Sequence, residues 1–347
     1  MDAQNAAVAA MQNLPDFYTD KNGLHQPQGA IVAMNPHNGY IVAMVGGRGD
    51  DAFNRATQAE RQPGSAMKPF VYLAAIQSGK TPGSIVEDSP VSFGSWSPKN
   101  YENDYEGSMT YRYALQHSRN VAAVKIADEV GMTKVIKLAK EMGISTLTDQ
   151  DYNLSTALGG LTHGVTPLEM VQAYGVLANG GIKVQPTAIL KIVDRNGQVV
   201  EEHSIQEKRV VDEKDAAIIT NMLESVINGG TGGNAAIGRP AAGKTGTTDD
   251  SKDAWFVGYT PDLVAAVWIG DDYGSETLRG MTGGDTPAIM WGQFMANALA
   301  NTPASDFPVP SSAQSAIAEG YFNPVKVQPK KDDKKDDKAD KKDDKDK

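Results

Sequence analysis

Ser65 and Lys68 stand three residues apart in the stretch Gln62-Pro63-Gly64-Ser65-Ala66-Met67-Lys68-Pro69-Phe70. On a helix, residues i and i+3 share a face, so hydroxyl and amine become neighbours. A serine hydroxyl attacks well only once a base takes its proton, and a desolvated lysine amine is such a base. Pro63 and Gly64 predict a break just before a helix, with Ser65 in the first turn, where unpaired N–H groups and the helix dipole favour an alkoxide. Phe70, Val71, Leu73, Ala74, Ala75 and Ile76 predict that this helix is buried, which would hold the pair still. Pro69 removes an amide donor, but within the first turn that donor has no helical partner. S-x-x-K occurs once in the chain. Alone, it is better read as an exposed serine beside a solvated lysine.

Two further motifs change that balance. Ser118-Arg119-Asn120 is an S-x-N triplet just before a helix start, and Lys244-Thr245-Gly246-Thr247 lies in a strand region. Singly, the first reads as a helix cap and the second as a turn or edge strand. The three motifs in this order are hard to obtain by chance.

The elements that position them follow from periodicity and punctuation. Residues 2–14 are alanine-rich and read as one short helix. Gly29–Asn35 and Tyr40–Val45 flank Pro36-His37-Asn38-Gly39 as a hairpin. Thr81 to Gly107, rich in Pro, Ser, Asn and Gly, reads as irregular loop. From Tyr111 the pattern is helical, with stops at Gly131, Gly143 and Asn179-Gly180-Gly181. Thr187–Val193 and Gln198–Glu202 form a second hairpin signal, and 212–227 a further helix. Strands are expected around Lys244, over Ala254–Tyr259 and over Leu263–Ile269, then a helix over Thr286–Ala300. Strands, a large helical block, then strands and a helix imply an α+β fold whose antiparallel sheet is built from both ends of the chain.

The 347 residues, 40% of them hydrophobic, suffice for a sizeable core. Formal charge is −10, and since the nine Lys and eight Asp of residues 330–347 add +1, the rest carries −11. Such a surface argues against nucleic acid or an anionic membrane as the main partner. With no cysteine, disulfides and thiolate metal sites are excluded, and His25, His37, His117, His163 and His203 are too scattered in sequence to suggest a zinc site or histidine triad. No run approaches the roughly 18 apolar residues of a membrane span. The Lys/Asp tail cannot bury a core and is expected to be a disordered spacer.

The chain resembles the penicillin-binding proteins, whose motifs are S-x-x-K, an S-D-N-type triplet and K-T-G. Here the triplet is Ser118-Arg119-Asn120, within the looser S-x-N form. Residues 29–47, 53–56, 166–170, 178–181 and 254–261 look like the transpeptidase domain of class A, bifunctional members. The resemblance implies a penicillin-binding, serine β-lactamase-like fold over 29–301. Residues 1–28 are then a linker remnant with a short helix, 302–329 a Pro/Ser/Ala-rich extension and 330–347 the tail. Class A members also carry a membrane anchor and a glycosyltransferase domain. Neither is recognisable here, so a fragment without glycan polymerisation is expected, itself soluble, from a parent at the extracytoplasmic face of the bacterial membrane.

The resemblance implies a D-Ala-D-Ala stem peptide as substrate, acylated on Ser65 without metal or cofactor. Lys68 is the base, or stays charged and steadies the alkoxide. Ser118 passes a proton to the departing D-Ala amine, and Asn120 holds the peptide and Lys68. Lys244, Thr245 and Thr247 meet the terminal carboxylate, Gly246 leaves the strand edge open, and the backbone N–H groups of Ser65 and Thr247 form the oxyanion hole. An amine of a second stem peptide then takes the acyl group. β-Lactams and other cell-wall synthesis proteins are the further partners implied.

Three rival readings have their own residues. Gly238 to Thr245 satisfies the phosphate-loop pattern G-x-x-x-x-G-K-[ST], although Gly-Gly-Thr-Gly-Gly-Asn upstream and Gly-Thr-Thr-Asp-Asp-Ser downstream suit neither the strand nor the helix it needs. A serine β-lactamase needs a base for deacylating water, and Glu169 is the first candidate. A catalytically inactive scaffold or sensor would keep the fold and lose the chemistry.

Overall fold

The computed structural model describes residues 2–49, 51–248, 250–274 and 276–321; the Lys/Asp tail lies outside the described residues. The alanine-rich start forms α1 (Ala3–Met11), capped by the Asp2 carboxylate, which accepts from Asn5 N at 2.8 Å. The first hairpin is β1 (Gln28–Met34) and β2 (Ile41–Val45). All seven residues of β1 are buried, and beyond Gln28, whose amide donates to His25 O and Arg48 O, its sequence reads as an apolar run. A 3-10 turn, Gly64–Met67, leads into α2 (Lys68–Gln77), of which nine residues are buried. A helix apolar on nearly every side belongs in a core, and each of Phe70, Leu73 and Ile76 contributes roughly 1.5–3 kcal/mol by leaving water.

The stretch expected to be irregular carries a strand, β3 (Ile85–Asp88), paired antiparallel with β4 (Gly107–Thr110). Its inward positions are Val86 and Asp88, and a buried aspartate is a turn signal in sequence. The partner that makes Asp88 tolerable there is Arg119, 31 residues away. The helical block follows: α3 (Tyr111–Gln116), α4 (Asn120–Val130), α5 (Met132–Met142) and α6 (Pro167–Ala178). α4 and α5 stop at Gly131 and Gly143, where the punctuation predicted. The second hairpin is β5 (Lys191–Val193) and β6 (Val199–Glu202), then come α7 (Glu213–Gly229), β7 (Ala242–Thr247), β8 (Asp253–Tyr259), β9 (Val264–Gly270), α8 (Thr286–Ala298) and α9 (Gln314–Ile317).

One antiparallel sheet runs in the order β7-β8-β9-β1-β2. The seam between the two ends of the chain is β9 with β1, Val264 opposite Met34 and Gly270 opposite Gln28. One face packs on the helical block through Met34, Trp255, Trp268, Phe70 and Leu73. The other is covered by α1 and α8 through Ala7, Met11, Trp291 and Phe294, so the N-terminal helix belongs to this folded unit. The architecture is α+β, with β7 at the sheet edge.

Residues 302–321 also pack on the domain. Buried Arg112 of α3 donates to Glu319 O at 3.0 Å, Ile317 O at 2.8 Å, Asn221 O at 3.1 Å and Ser225 Oγ at 3.1 Å. Its guanidinium lies 4.0 Å from the Tyr321 ring centre, and Phe307 meets Tyr259 edge to face. Among the described residues no helix is long and apolar enough to cross a membrane.

Candidate active site

Ser65 sits second in the 3-10 turn and Lys68 at its junction with α2. In a 3-10 turn residues i and i+3 eclipse, so the two side chains are stacked more directly than the expected α-helical turn would place them. Close backbone packing fixes the turn. Gly64 has φ +53°, and a Cβ there would lie 2.4 Å from Thr247 O. Gly159 has φ +80°, and its Cβ would lie 2.3 Å from Gly64 O. Three segments distant in sequence therefore nest at their main chains, and only glycine fits both the conformation and the space.

Lys68 is fully buried. Its Nζ donates to Asn120 Oδ1 at 2.7 Å, Ser118 Oγ at 3.1 Å and Ser118 O. Lys244, on β7, is also fully buried and donates from Nζ to Ser118 Oγ at 2.9 Å, Thr245 O at 3.1 Å and Thr245 Oγ1 at 3.2 Å. Burial pulls its ammonium down to about 7. Ser118 is thus held between two lysines, in a left-handed backbone conformation with φ +54° that is strained for a serine.

The strain at Ser118 is supported by its neighbours. Arg119 donates from Nε and Nη2 to Asp88 Oδ2 at 2.9 and 2.7 Å, and from Nη2 to Asp104 Oδ1 at 2.9 Å. Asn100 donates to Asp88 Oδ1 at 2.8 Å and accepts from the backbone of Asn120 and Val121 at 2.9 and 3.1 Å, which caps α4. Asn120 Nδ2 in turn donates to Lys99 O at 2.9 Å. The S-R-N triplet is stitched to the 99–106 segment from both sides.

A cavity of about 190 Å³ contains Ser65, Ser118, Asn120, Thr245 and Thr247. Tyr101, Glu102, His117, Leu158, Thr231 and Thr282 complete most of its wall. None of these six was singled out from sequence as part of a site, because they come from five separate segments with no motif between them. His117, half-buried against Tyr113, has its imidazole pushed down chiefly by burial. A second cavity of about 490 Å³ lies beyond Thr247 and Leu158, which line both, and contains Glu60, Arg61, Asp250, Lys252 and Asp253.

Gly246 answers to a neighbour that the sequence did not suggest. A Cβ there would lie 2.3 Å from Pro63 O and 3.2 Å from Ala66 Cβ, so the glycine admits the turn bearing Ser65. Thr247 Oγ1 accepts from Gly283 N at 3.0 Å, and Thr245 Oγ1 meets Thr231 Oγ1 at 2.8 Å. Gly238–Thr245, the phosphate-loop match, enters strand β7 and not a helix. Glu169 caps α6, accepting from Thr166 N at 2.9 Å and from Ser145 N at 2.7 Å, and lines neither cavity.

Comparison with known proteins agrees with this frame. The family model for the penicillin binding protein transpeptidase domain matches residues 29–284. Penicillin-binding protein 1A of Rickettsia typhi is 36% identical over 88% of this chain and 42% of its own length. That of Aquifex aeolicus is 40% identical over 82% of this chain and 40% of its own. The chain thus spans about two fifths of the curated relatives it matches. The crystal structure of penicillin-binding protein 1A from Haemophilus influenzae superposes with a TM-score of 0.78 at 30% identity, over 85% of this chain and 52% of that one. PonA1 of Mycobacterium tuberculosis in complex with penicillin V gives 0.79 at 31%, over 89% and 86%. A matched family model over most of the sheet and helical block, with relatives alike over nearly the whole chain, means that this chain belongs to the penicillin-binding protein transpeptidase family.

Proposed function

We propose that this chain is a serine D,D-transpeptidase domain that joins peptidoglycan stem peptides through an acyl-enzyme on Ser65, and that β-lactams acylate the same hydroxyl. The observation that carries the reading is Ser118 Oγ lying 2.9 Å from Lys244 Nζ and 3.1 Å from Lys68 Nζ, on the wall of the cavity that contains Ser65. A hydroxyl has two acceptor sites and one donor. With both acceptor sites turned to lysines, the Ser118 O–H is left to point elsewhere, towards a departing amine.

The donor peptide adds as a strand to the β7 edge, its terminal carboxylate at Lys244, Thr245 and Thr247. Run antiparallel to β7, the residues before its D-Ala-D-Ala pass Thr247 into the larger cavity. The Ser65 N–H, in a first turn with no intrahelical acceptor, and the Thr247 N–H take the oxyanion. Lys68, oriented by Asn120 and Ser118, accepts the Ser65 proton, and Ser118 relays a proton to the leaving D-Ala amine. Asn120 also holds the donor's backbone. In the parent protein this chemistry lies at the extracytoplasmic face of the membrane.

The nearer alternative, a serine β-lactamase using Glu169, has little support, since that carboxylate is spent on the α6 cap. Incubation with a fluorescent penicillin, followed by intact mass, tests the proposal. A lasting adduct on the wild type and none on Ser65→Ala is expected. Rapid release of hydrolysed penicillin would favour a β-lactamase, and no adduct at all an inactive scaffold.

A further inference from the structure

The acylation chemistry uses the floor of the Ser65 cavity and leaves its rim unexplained. On that rim Glu102, with Tyr101, comes from the segment tied to the S-R-N triplet. Of the described residues lining this cavity, Glu102 has the one carboxylate. Its side chain is 66% exposed, and its nearest charge is Arg119 Nη1 at 3.8 Å. That guanidinium also faces Asp88, Asp104 and Glu106, so one positive charge is outnumbered by four carboxylates. His117, whose imidazole is pushed below its ordinary value, adds little compensation. The floor is cationic and the rim is anionic.

Resting on the reaction proposed above, we infer that Glu102 gathers the acceptor, a cationic primary amine, and so decides between cross-linking and hydrolysis. The acceptor nitrogen becomes bonded to the same carbonyl carbon that the leaving amine gave up. By microscopic reversibility it enters along the path by which that amine departed. This path is the Ser118 side of the cavity, and Glu102 lines that cavity beside Arg119, the residue after Ser118. An alkylamine arrives as ammonium and is drawn by the carboxylate, then loses one proton to water. The neutral nitrogen forms the N–C bond, the C–Oγ bond to Ser65 breaks, and the second nitrogen proton returns to Ser65 Oγ. Water carries no charge and gains nothing from Glu102, so the carboxylate biases the partition towards the amine.

The test uses the full chain with a D-Ala-D-Ala peptide that has no free amine as donor. Two nucleophiles compete with water: a tripeptide with a free lysine side-chain amine, cationic at pH 7, and hydroxylamine, neutral at that pH. We expect Glu102→Gln to lower the aminolysis-to-hydrolysis ratio for the lysine tripeptide by about fivefold, the scale of one exposed charge pair, and Glu102→Lys to lower it further. The hydroxylamine ratio should stay within about twofold of wild type, as a charge effect of this size leaves a neutral nucleophile untouched, and acylation by penicillin, itself an anion, should not slow. An unchanged ratio, equal falls for both nucleophiles, or a wild type that acylates yet only hydrolyses the donor would overturn the inference and leave Ser65 acylation standing. Failure of the wild type to acylate would remove both.

Discussion

Asp88 and Arg119 form an ion pair that joins a strand to the middle of a motif: two hydrogen bonds at 2.9 and 2.7 Å, the carboxylate fully buried and the guanidinium side chain 5% exposed. Removing one member of such a pair leaves the other charged in a desolvated place, typically at a cost of about 3–5 kcal/mol. We expect Asp88→Ala to lose roughly 3 kcal/mol in urea unfolding, at the low end because Asp104 still meets Arg119. Acylation by fluorescent penicillin should slow by about tenfold to a hundredfold, the upper figure being what a 1 Å misplacement can cost, as Ser118 relaxes from its positive φ.

Lys244 couples stability to pH. Its folded value, about 7, lies below that of an exposed lysine, so between the two the unfolded chain binds the extra proton. Stability then rises with pH across that window, and the destabilisation is present in full only below pH 7. Compared with Lys244→Met, the wild type should therefore gain ground in urea midpoints from pH 6.5 to 9. A carboxylate ligand beside the amine favours the ammonium form, so non-covalent capture of a D-Ala-D-Ala peptide by Ser65→Ala should take up protons at pH 8. Calorimetry in two buffers of different ionisation enthalpy measures that uptake.

Gly159 is held against the turn bearing Ser65 by main-chain contact. Gly159→Ala adds a methyl 2.3 Å from Gly64 O at a position with φ +80°. The strain is of order 1–3 kcal/mol, and its relief moves Gly64 and the Ser65 N–H beside it, a donor in the proposed oxyanion hole. We expect a loss of stability in that range and a slower acylation rate with little change in overall secondary structure, read by circular dichroism and by stopped-flow with fluorescent penicillin.

Arg112 clasps the extension after the last long helix. Arg112→Leu strips the hydrogen bonds from Glu319 O, Ile317 O, Asn221 O and Ser225 Oγ and should cost at least about 4 kcal/mol, since hydrogen bonds to charged groups are worth about 1.5–3 each. A chain ended at Ala300 should melt lower still, because Phe307 and Ala313 leave the core with it.

Local signals in the sequence were a sound guide where local physics decides. The glycines at 131 and 143 end α4 and α5, the apolar run 70–76 is buried in α2, and both hairpins stand where their turns put them. The three motifs could be read because each is short, and the structure brings Lys68, Ser118, Asn120 and Lys244 within hydrogen-bond reach. What escaped depends on distant partners. Asp88 reads as a turn residue until Arg119 is placed beside it, and residues 302–321 read as a thinning tail until Arg112 reaches them. The close approach of Pro63 O to Gly246 also has no signal in the sequence. The rim residues Tyr101, Glu102 and His117 carry no pattern at all; only folding gathers them.

The pairing of β9 with β1 sets a schedule for biosynthesis. Strand β1 ends at Met34 and its partner β9 begins at Val264, so about three quarters of the chain must leave the ribosome before that seam can close. Until then β1 and β2 are a lone hairpin, marginal in water, with apolar residues awaiting a neighbour. Such long-range pairing slows folding and exposes sticky edges to other chains. A nascent chain arrested before residue 264 should therefore be captured by chaperones and cut by protease, and become resistant only once the last strand has emerged.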